Sequence, residues 1–202
     1  MPYSSETFTD RIRQQTHAVL DPIASALHRL GVHPDTITWA GLGLVGIASL
    51  VIAQGQFQWG ALLLLGGLPL DALDGAIARK ISQRSRFGAV LDSALDRYAD
   101  GFIFAALSYH FAAQSRLDLL VIAQLALLGS FAVSYLRARA ESVGVEAKIG
   151  LFTRLERTIV ILTMLFIPDL LDWGILILAL GTNFTAAQRL WHVYQTLKDK
   201  GM

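Results

Sequence analysis

The stretch Asp71-Ala72-Leu73-Asp74-Gly75-Ala76-Ile77-Ala78-Arg79, followed after eight residues by Gly88-Ala89-Val90-Leu91-Asp92-Ser93-Ala94-Leu95-Asp96, decides how the rest of the chain is read. Its four aspartates stand in otherwise apolar surroundings. A carboxylate inside a membrane-spanning segment is expensive and needs a reason. Asp71 and Asp74 are three residues apart, about 60° around a helix, and Asp92 and Asp96 are four apart, about 40°. Each pair therefore shares a helix face. The connection Lys80–Phe87 is short, so the two helices are expected to be antiparallel neighbours with both acid pairs at one end. Four facing carboxylates repel strongly without cations, and hard oxygen donors favour Mg²⁺, Mn²⁺ or Ca²⁺ over zinc.

The residues between the acids fit such a site. Gly75 and Gly88 remove side chains beside Asp74 and Asp92, which lets a ligand or a helix backbone approach closely. Arg79 and the basic run Lys80–Arg86 would attract a phosphate-bearing substrate to the same end. Buried salt bridges to Arg79 and Arg97 would account for a single aspartate, but poorly for four at this spacing with these glycines. An ion-coupled transporter would place its acids near mid-membrane, whereas these lie at one end of their spans.

Composition sets the class. The chain has 202 residues, of which 53% are hydrophobic and 16% charged, against about 25% charged in a soluble domain. Mean hydropathy is +0.48, as expected of an integral membrane protein. There is no cysteine, which excludes disulfides and thiolate metal sites. Residues 1–30 have no early apolar core of the kind a cleavable signal peptide needs.

No charged residue occurs from Thr36 to Leu70, too long a run for one span of about 20 residues. The polar break Gln54-Gly55-Gln56-Phe57-Gln58 divides it. The pattern predicts an all-α polytopic membrane protein with six transmembrane helices, near 36–54, 59–80, 88–112, 117–140, 155–172 and 173–195. The fourth and fifth are separated by a polar loop around Glu141–Phe152, and the last two are joined tightly at Pro168-Asp169. Before them, Phe8, Ile12, Val19, Ile23, Leu27 and Leu30 recur near helical spacing with Arg11, Arg13 and Arg29 between. This is the pattern of an N-terminal amphipathic helix lying in the interface. The chain is therefore expected to be one membrane domain, 1–202, made of an interfacial segment (1–33) and a helical bundle (34–202). With six spans both termini share a side, and that side holds nearly all the arginine and lysine, leaving only Arg116 opposite. The termini and the aspartate motif are accordingly expected to face the cytoplasm across the cell membrane. The basic clusters lie within a membrane protein, so nucleic acid is not an expected partner.

The run from Asp71 to Asp96, with every fixed position at the family's spacing, resembles the signature of the CDP-alcohol phosphotransferases. The resemblance implies transfer of a phosphatidyl group from CDP-diacylglycerol to an alcohol, with release of CMP, by a homodimer in the bilayer. It implies that Asp71, Asp74, Asp92 and Asp96 hold two divalent ions, Mg²⁺ or Mn²⁺, and that Asp96 is the general base toward the acceptor hydroxyl. Gly75, Ala78, Arg79 and Gly88 would shape the nucleotide pocket, with Arg86 of the basic run contributing to binding of the CDP-lipid. The segment Pro34-Asp35-Thr36-Ile37-Thr38 is similar to a family segment near the nucleotide, which assigns Asp35 and Thr38 to the same ligand. Asp35 equally suits a plain helix N-cap.

The acceptor is read from the second half of the chain. Arg137 and Arg139 close the fourth span, Arg154 and Arg157 open the fifth, and Arg189 follows Gln188 in the sixth. Arginine forks suit a phosphate dianion, so the acceptor is expected to be a phosphorylated polyol. The positive-inside rule alone is the competing account of these cations. Tyr135-Leu136-Arg137-Ala138-Arg139-Ala140-Glu141 and Arg189 are similar to phosphatidylinositol-phosphate and archaetidylinositol-phosphate synthases, which implies inositol 1-phosphate as acceptor. Where that branch often shows Glu-Arg-Pro-Glu-Arg, this chain has Thr153-Arg154-Leu155-Glu156-Arg157. Glycerol 3-phosphate is the alternative acceptor.

Other polar residues are expected to be structural. Asp100 continues the Asp92–Asp96 stripe by one turn; supporting the metal ligands from behind is one reading, and a hydrogen-bonded intramembrane carboxyl is the preferred one. The five histidines share no ligand spacing. Trp39, Trp59, Trp173 and Trp191 fall near predicted span ends, as an aromatic belt requires. Gly41, Gly43, Gly46, Gly66 and Gly67 are expected to permit close helix packing.

Overall fold

The computed structural model describes residues 34–67, 86–147 and 149–199. The expected interfacial helix, the half of the motif from Asp71 to Arg79, and Lys148 lie outside these. Every regular element among the described residues is helical. In chain order they are α1 (Pro34–Ala53), α2 (Phe57–Gly67), α3 (Arg86–Ala113), α4 (Leu117–Ser142), α5 (Arg154–Phe166) and α6 (Leu171–Asp199), with a 3₁₀ turn at Pro168–Leu170 before α6. Among the described residues three stretches are long and apolar enough to cross a membrane: Thr36–Ala53, Leu117–Ser142 and Pro168–Asp199.

The fifth expected span differs from its description. It is a 13-residue helix, about 20 Å long, which falls short of the ~30 Å hydrocarbon core of a bilayer. The chain then turns through Pro168-Asp169, as the proline predicts, and α6 begins at Leu171 rather than Trp173.

The chain forms two compact units, divided at Leu44/Val45, Leu64/Leu65 and Asp96/Arg97. The smaller contains the described residues 34–44, 65–67 and 86–96, and thus Asp92 and Asp96. The larger contains 45–64 and the chain from Arg97 onward. Its core is built from Ile52, Phe104, Leu107, Phe111, Met164, Leu165, Ile175 and Leu178, each at most 1% exposed. Trp59, Trp173 and Trp191 are mostly exposed, as is Trp39 in the smaller unit.

In the larger unit α4 lies along α6, and small residues set the approach. A Cβ on Gly129 of α4 would fall 2.7 Å from Asn183 Nδ2 and 2.8 Å from Thr182 Cβ, so only glycine fits. Asn183 Nδ2 then donates across the interface to Leu125 O at 2.9 Å. The glycines that sequence singled out behave differently. Gly41, Gly43 and Gly66 meet nothing within 4 Å among the described residues, and only Gly46 and Gly67 approach a neighbouring side chain. A run of small residues does not say which of them faces a partner.

The turn between α3 and α4 is fixed by Ser115 in the left-handed region (φ 60) and by Arg116. Arg116 Nη1 and Nη2 donate to Asp172 Oδ1 and Oδ2 at 2.9 and 2.7 Å, a fork that ties this turn to the start of α6. The hydrogen bonds to Asp172 raise the Arg116 pKa further above its ordinary value. A pair this exposed orients the turn more than it stabilises it.

Gly129→Val should lower stability by about 1–3 kcal/mol through overpacking of the α4–α6 seam. Thermal unfolding in detergent checks this, and Gly41→Val should leave the midpoint nearly unchanged.

Candidate active site

Two clusters of charge stand out, one in each unit. In the smaller unit Asp92 and Asp96 lie one turn apart on α3, about 6 Å along the axis, and both are partly exposed. Two ionisable oxygens on one helix face are the donor chemistry that Mg²⁺ and Mn²⁺ take. Their expected co-ligands Asp71 and Asp74 lie outside the described residues, as do Gly75, Ala78 and Arg79. Among the described residues no three metal-binding side chains come together. Gly88 and Thr38 are half-buried. Asp35 and Arg86 fall in the first turns of α1 and α3.

The larger unit holds the arginines. Its basic end is built by the connection from α4 to α5, residues 143–153, which is stitched to α6 along its length. Val145 and Ala147 are buried with Ala140 and pack on Val193 and Leu197. His192 Nε2 reaches Glu146 O at 3.2 Å. Gly150 adopts φ +126, where its lack of a Cβ lets Thr185 and Arg189 come against it. Thr185 Oγ1 accepts the Phe152 N–H at 3.0 Å.

Arg189 is the centre of this stitching. It is 3% exposed. Its Nη1 donates to Val133 O of α4 at 2.6 Å and its Nε to Ile149 O of the connection at 2.8 Å. Helix α5 then starts in a capping box. The Glu156 carboxylate accepts from the Thr153 N–H at 2.9 Å and also from the Thr153 hydroxyl. That first turn presents Arg154 outward and Arg157 inward. Arg157 is buried, and its Nη2 donates to Asp100 Oδ2 at 3.0 Å.

The five arginines read from sequence thus divide. Arg137 and Arg157 both lie close enough to Arg189 to repel it, with Glu141 offsetting them. Arg154 and Arg157, together with Arg97, attract Asp100. Arg137 is exposed and pairs with Glu141 at 3.1 Å across one turn of α4. Arg139 is turned toward Ser142, 3.3 Å away. The mutual repulsion of Arg137, Arg157 and Arg189 is partly offset by Glu141 and by Asp100, and the fork geometry of guanidinium is one that suits phosphate oxygens.

Residues 31–186 match the family of CDP-alcohol phosphatidyltransferases. The chain belongs to this family. As a CDP-alcohol phosphatidyltransferase it is a membrane enzyme of phospholipid synthesis. It is 37% identical to archaetidylinositol phosphate synthase of Methanothermobacter thermautotrophicus, over 98% of this chain and all of the relative. It is 41% identical to phosphatidylinositol phosphate synthase of Cutibacterium acnes, over 77% of this chain and 76% of that protein. Its fold is similar to that of Mycobacterium tuberculosis phosphatidylinositol phosphate synthase. The crystal structure of that enzyme with CDP-DAG bound superposes with a TM-score of 0.84 at 34% identity, covering 88% of this chain and 94% of the other. The same enzyme has also been solved with manganese and citrate, with a TM-score of 0.83, 34% identity and coverage of 87% and 88%.

Sequence reasoning missed several residues of the phosphatidyltransferase that organise its basic end. The capping box was legible as Thr153-x-x-Glu156. The partners of Arg189 were not, because they are main-chain carbonyls 40 and 56 residues away. Nor was the partner of Asp100, which is Arg157, 57 residues away in the chain.

Arg189→Ala should cost about 2–3 kcal/mol, since it strips charged donors from two carbonyls. Limited proteolysis should then cut within residues 143–153 faster than in the unsubstituted protein. Unchanged cleavage there would mean that Arg189 does not hold the connection.

Proposed function

We propose that the enzyme transfers a phosphatidyl group from CDP-diacylglycerol to inositol 1-phosphate. The acceptor hydroxyl oxygen attacks the phosphorus attached to diacylglycerol, the bond to the CMP oxygen breaks, and CMP leaves. The observation that carries the acceptor is the grouping of Arg137, Arg157 and Arg189, two of them buried, in one part of the larger unit. A free alcohol gives such a group nothing to bind, whereas a phosphate dianion offers several acceptors. The named relatives, which are inositol-phosphate lipid synthases, support inositol over glycerol in the acceptor.

Each part of the chain then has a role in this reading. Asp71, Asp74, Asp92 and Asp96 hold two divalent ions, Mg²⁺ or Mn²⁺. The manganese in the related solved structure supports the ion type. When bound, the ions neutralise charge on the diphosphate of the donor. Asp96 takes the proton of the acceptor hydroxyl. Asp35, Thr38, Gly75, Ala78, Arg79, Arg86 and Gly88 line the place of the CDP moiety. Arg137, Arg154, Arg157 and Arg189 serve the acceptor phosphate, with Arg139 at its rim. The chain works as a single membrane domain, 1–202. Its bundle crosses the cell membrane six times, with α5 and the 3₁₀ turn after it together making the fifth crossing; its segment 1–33 lies in the interface, and its termini and active site face the cytoplasm. It acts as a homodimer.

The test is CMP release by purified protein from CDP-diacylglycerol with Mn²⁺ or Mg²⁺. Inositol 1-phosphate, glycerol 3-phosphate, free inositol and serine are offered in parallel. Release with inositol 1-phosphate alone supports the acceptor; release with glycerol 3-phosphate alone replaces it. Chelation of the metal should abolish release, and readdition should restore it. Asp96→Asn should reduce kcat by about 10²–10⁴-fold, the range lost with a general base. An Asp96→Asn enzyme of near-normal kcat would remove Asp96 from the chemistry.

A further inference from the structure

Asp100 was not needed by the reaction as described, yet it is the partner of a buried arginine. The Arg157 and Asp100 side chains are 5% and 20% exposed, and Arg157 Nη2 donates to Asp100 Oδ2 at 3.0 Å. The Arg157 Nε is also buried, and it has no hydrogen-bond partner among the described residues. A buried donor without an acceptor is costly and uncommon in a folded protein, and it marks a place where an acceptor group is missing. Glu156, which lies near Arg157, is engaged with Thr153, and Glu141 is engaged with Arg137. The surroundings are cationic, with Arg189 close to Arg157 and Arg154 sharing the attraction of Asp100. The missing group is therefore an anion with oxygen acceptors.

Guanidinium is planar, with its donors in a fixed fork. Holding Nη2 consequently fixes where the Nε–H points. An uncompensated Arg157 among Arg154 and Arg189 would be driven away from them by like charge, and one carboxylate at Nη2 prevents this while leaving Nε open. A pair of this kind does more than balance charge.

We propose that Asp100 is a positioning residue for acceptor recognition: it holds Arg157 by Nη2 so that Nε is presented to a phosphate oxygen of the acceptor. This rests on the reading above that the acceptor is phosphorylated. It assigns to Asp100 a part in specificity that a merely structural carboxyl lacks. In this proposal the effect is confined to one substrate, because Arg157 serves the acceptor rather than the CDP-lipid.

The test is steady-state CMP release by the full-length enzyme in detergent with Mn²⁺, with KM measured separately for CDP-diacylglycerol and for each phosphorylated acceptor. Asp100→Asn should raise KM for inositol 1-phosphate by about tenfold or more, with kcat and KM for CDP-diacylglycerol within about twofold. Asp100→Glu, which keeps the charge, should recover most of this, to within about threefold of the original KM. In Arg157→Lys, adding Asp100→Asn should raise KM no further, because the two residues act as one unit. If Asp100→Asn does not yield folded protein, Asp100→Ser, which also removes the charge, carries the test: a selective rise in acceptor KM supports the proposal. Equal rises in both KM values, or no rise in either, overturn it. If the unsubstituted enzyme uses only unphosphorylated alcohols, the acceptor reading falls and this inference with it. If it requires a phosphorylated acceptor and Asp100→Asn leaves that KM unmoved, this inference alone falls.

Discussion

A guanidinium buried as deeply as that of Arg189 persists only where its donors meet acceptors, because an unpaired buried charge costs several kcal/mol. Arg189 meets Val133 O on α4 and Ile149 O in the α4–α5 connection. That requirement pins the connection against α6. The pinned connection delivers the chain to Thr153, where the capping box starts α5 in a fixed direction. Only then does the first turn of α5 place Arg157 beside Asp100 and near Arg189. The positive φ of Gly150 and the Thr185 bond to Phe152 N belong to the same constraint, since both let the chain pass close to α6.

Electrostatics and apolar packing share the larger unit without conflict. The ring-rich core around Phe104 and Phe111 needs no charge, and Gly129 allows α4 and α6 to approach closely enough for Asn183 to donate between them. The cations collect where the helices emerge from that core. Their mutual repulsion is tolerated because Asp100 and Glu141 partly offset it. A phosphate at this place would complete the compensation, which is why a basic cluster of this kind reads as a binding site.

Much of the site was legible because its signals are local. Asp92 and Asp96 fall on one helix face by spacing alone, and the structure has them one turn apart on α3. The tight turn at Pro168-Asp169 followed from proline chemistry. Charge grouping was only partly legible. Arg157 and Arg189 look alike in sequence to Arg137 and Arg139, yet two are buried and two exposed. Hydropathy showed that α5 is apolar but not that it stops after 13 residues. The glycines misled for the same reason, since Gly41 and Gly129 differ only in what lies opposite.

The sequence by itself determined that this is a helical membrane protein with four aspartates at helical spacing and with arginines gathered in its second half. Those properties rest on composition, on helical period and on spacing within one element, which need no knowledge of neighbours. Only the tertiary structure decided which arginines are buried, that Arg189 is bonded to backbone, and that Asp100 belongs to Arg157. These depend on contacts across 40 to 57 residues of chain. A side chain's partner at that separation is set by how helices pack, and packing is a property of the whole fold rather than of any segment.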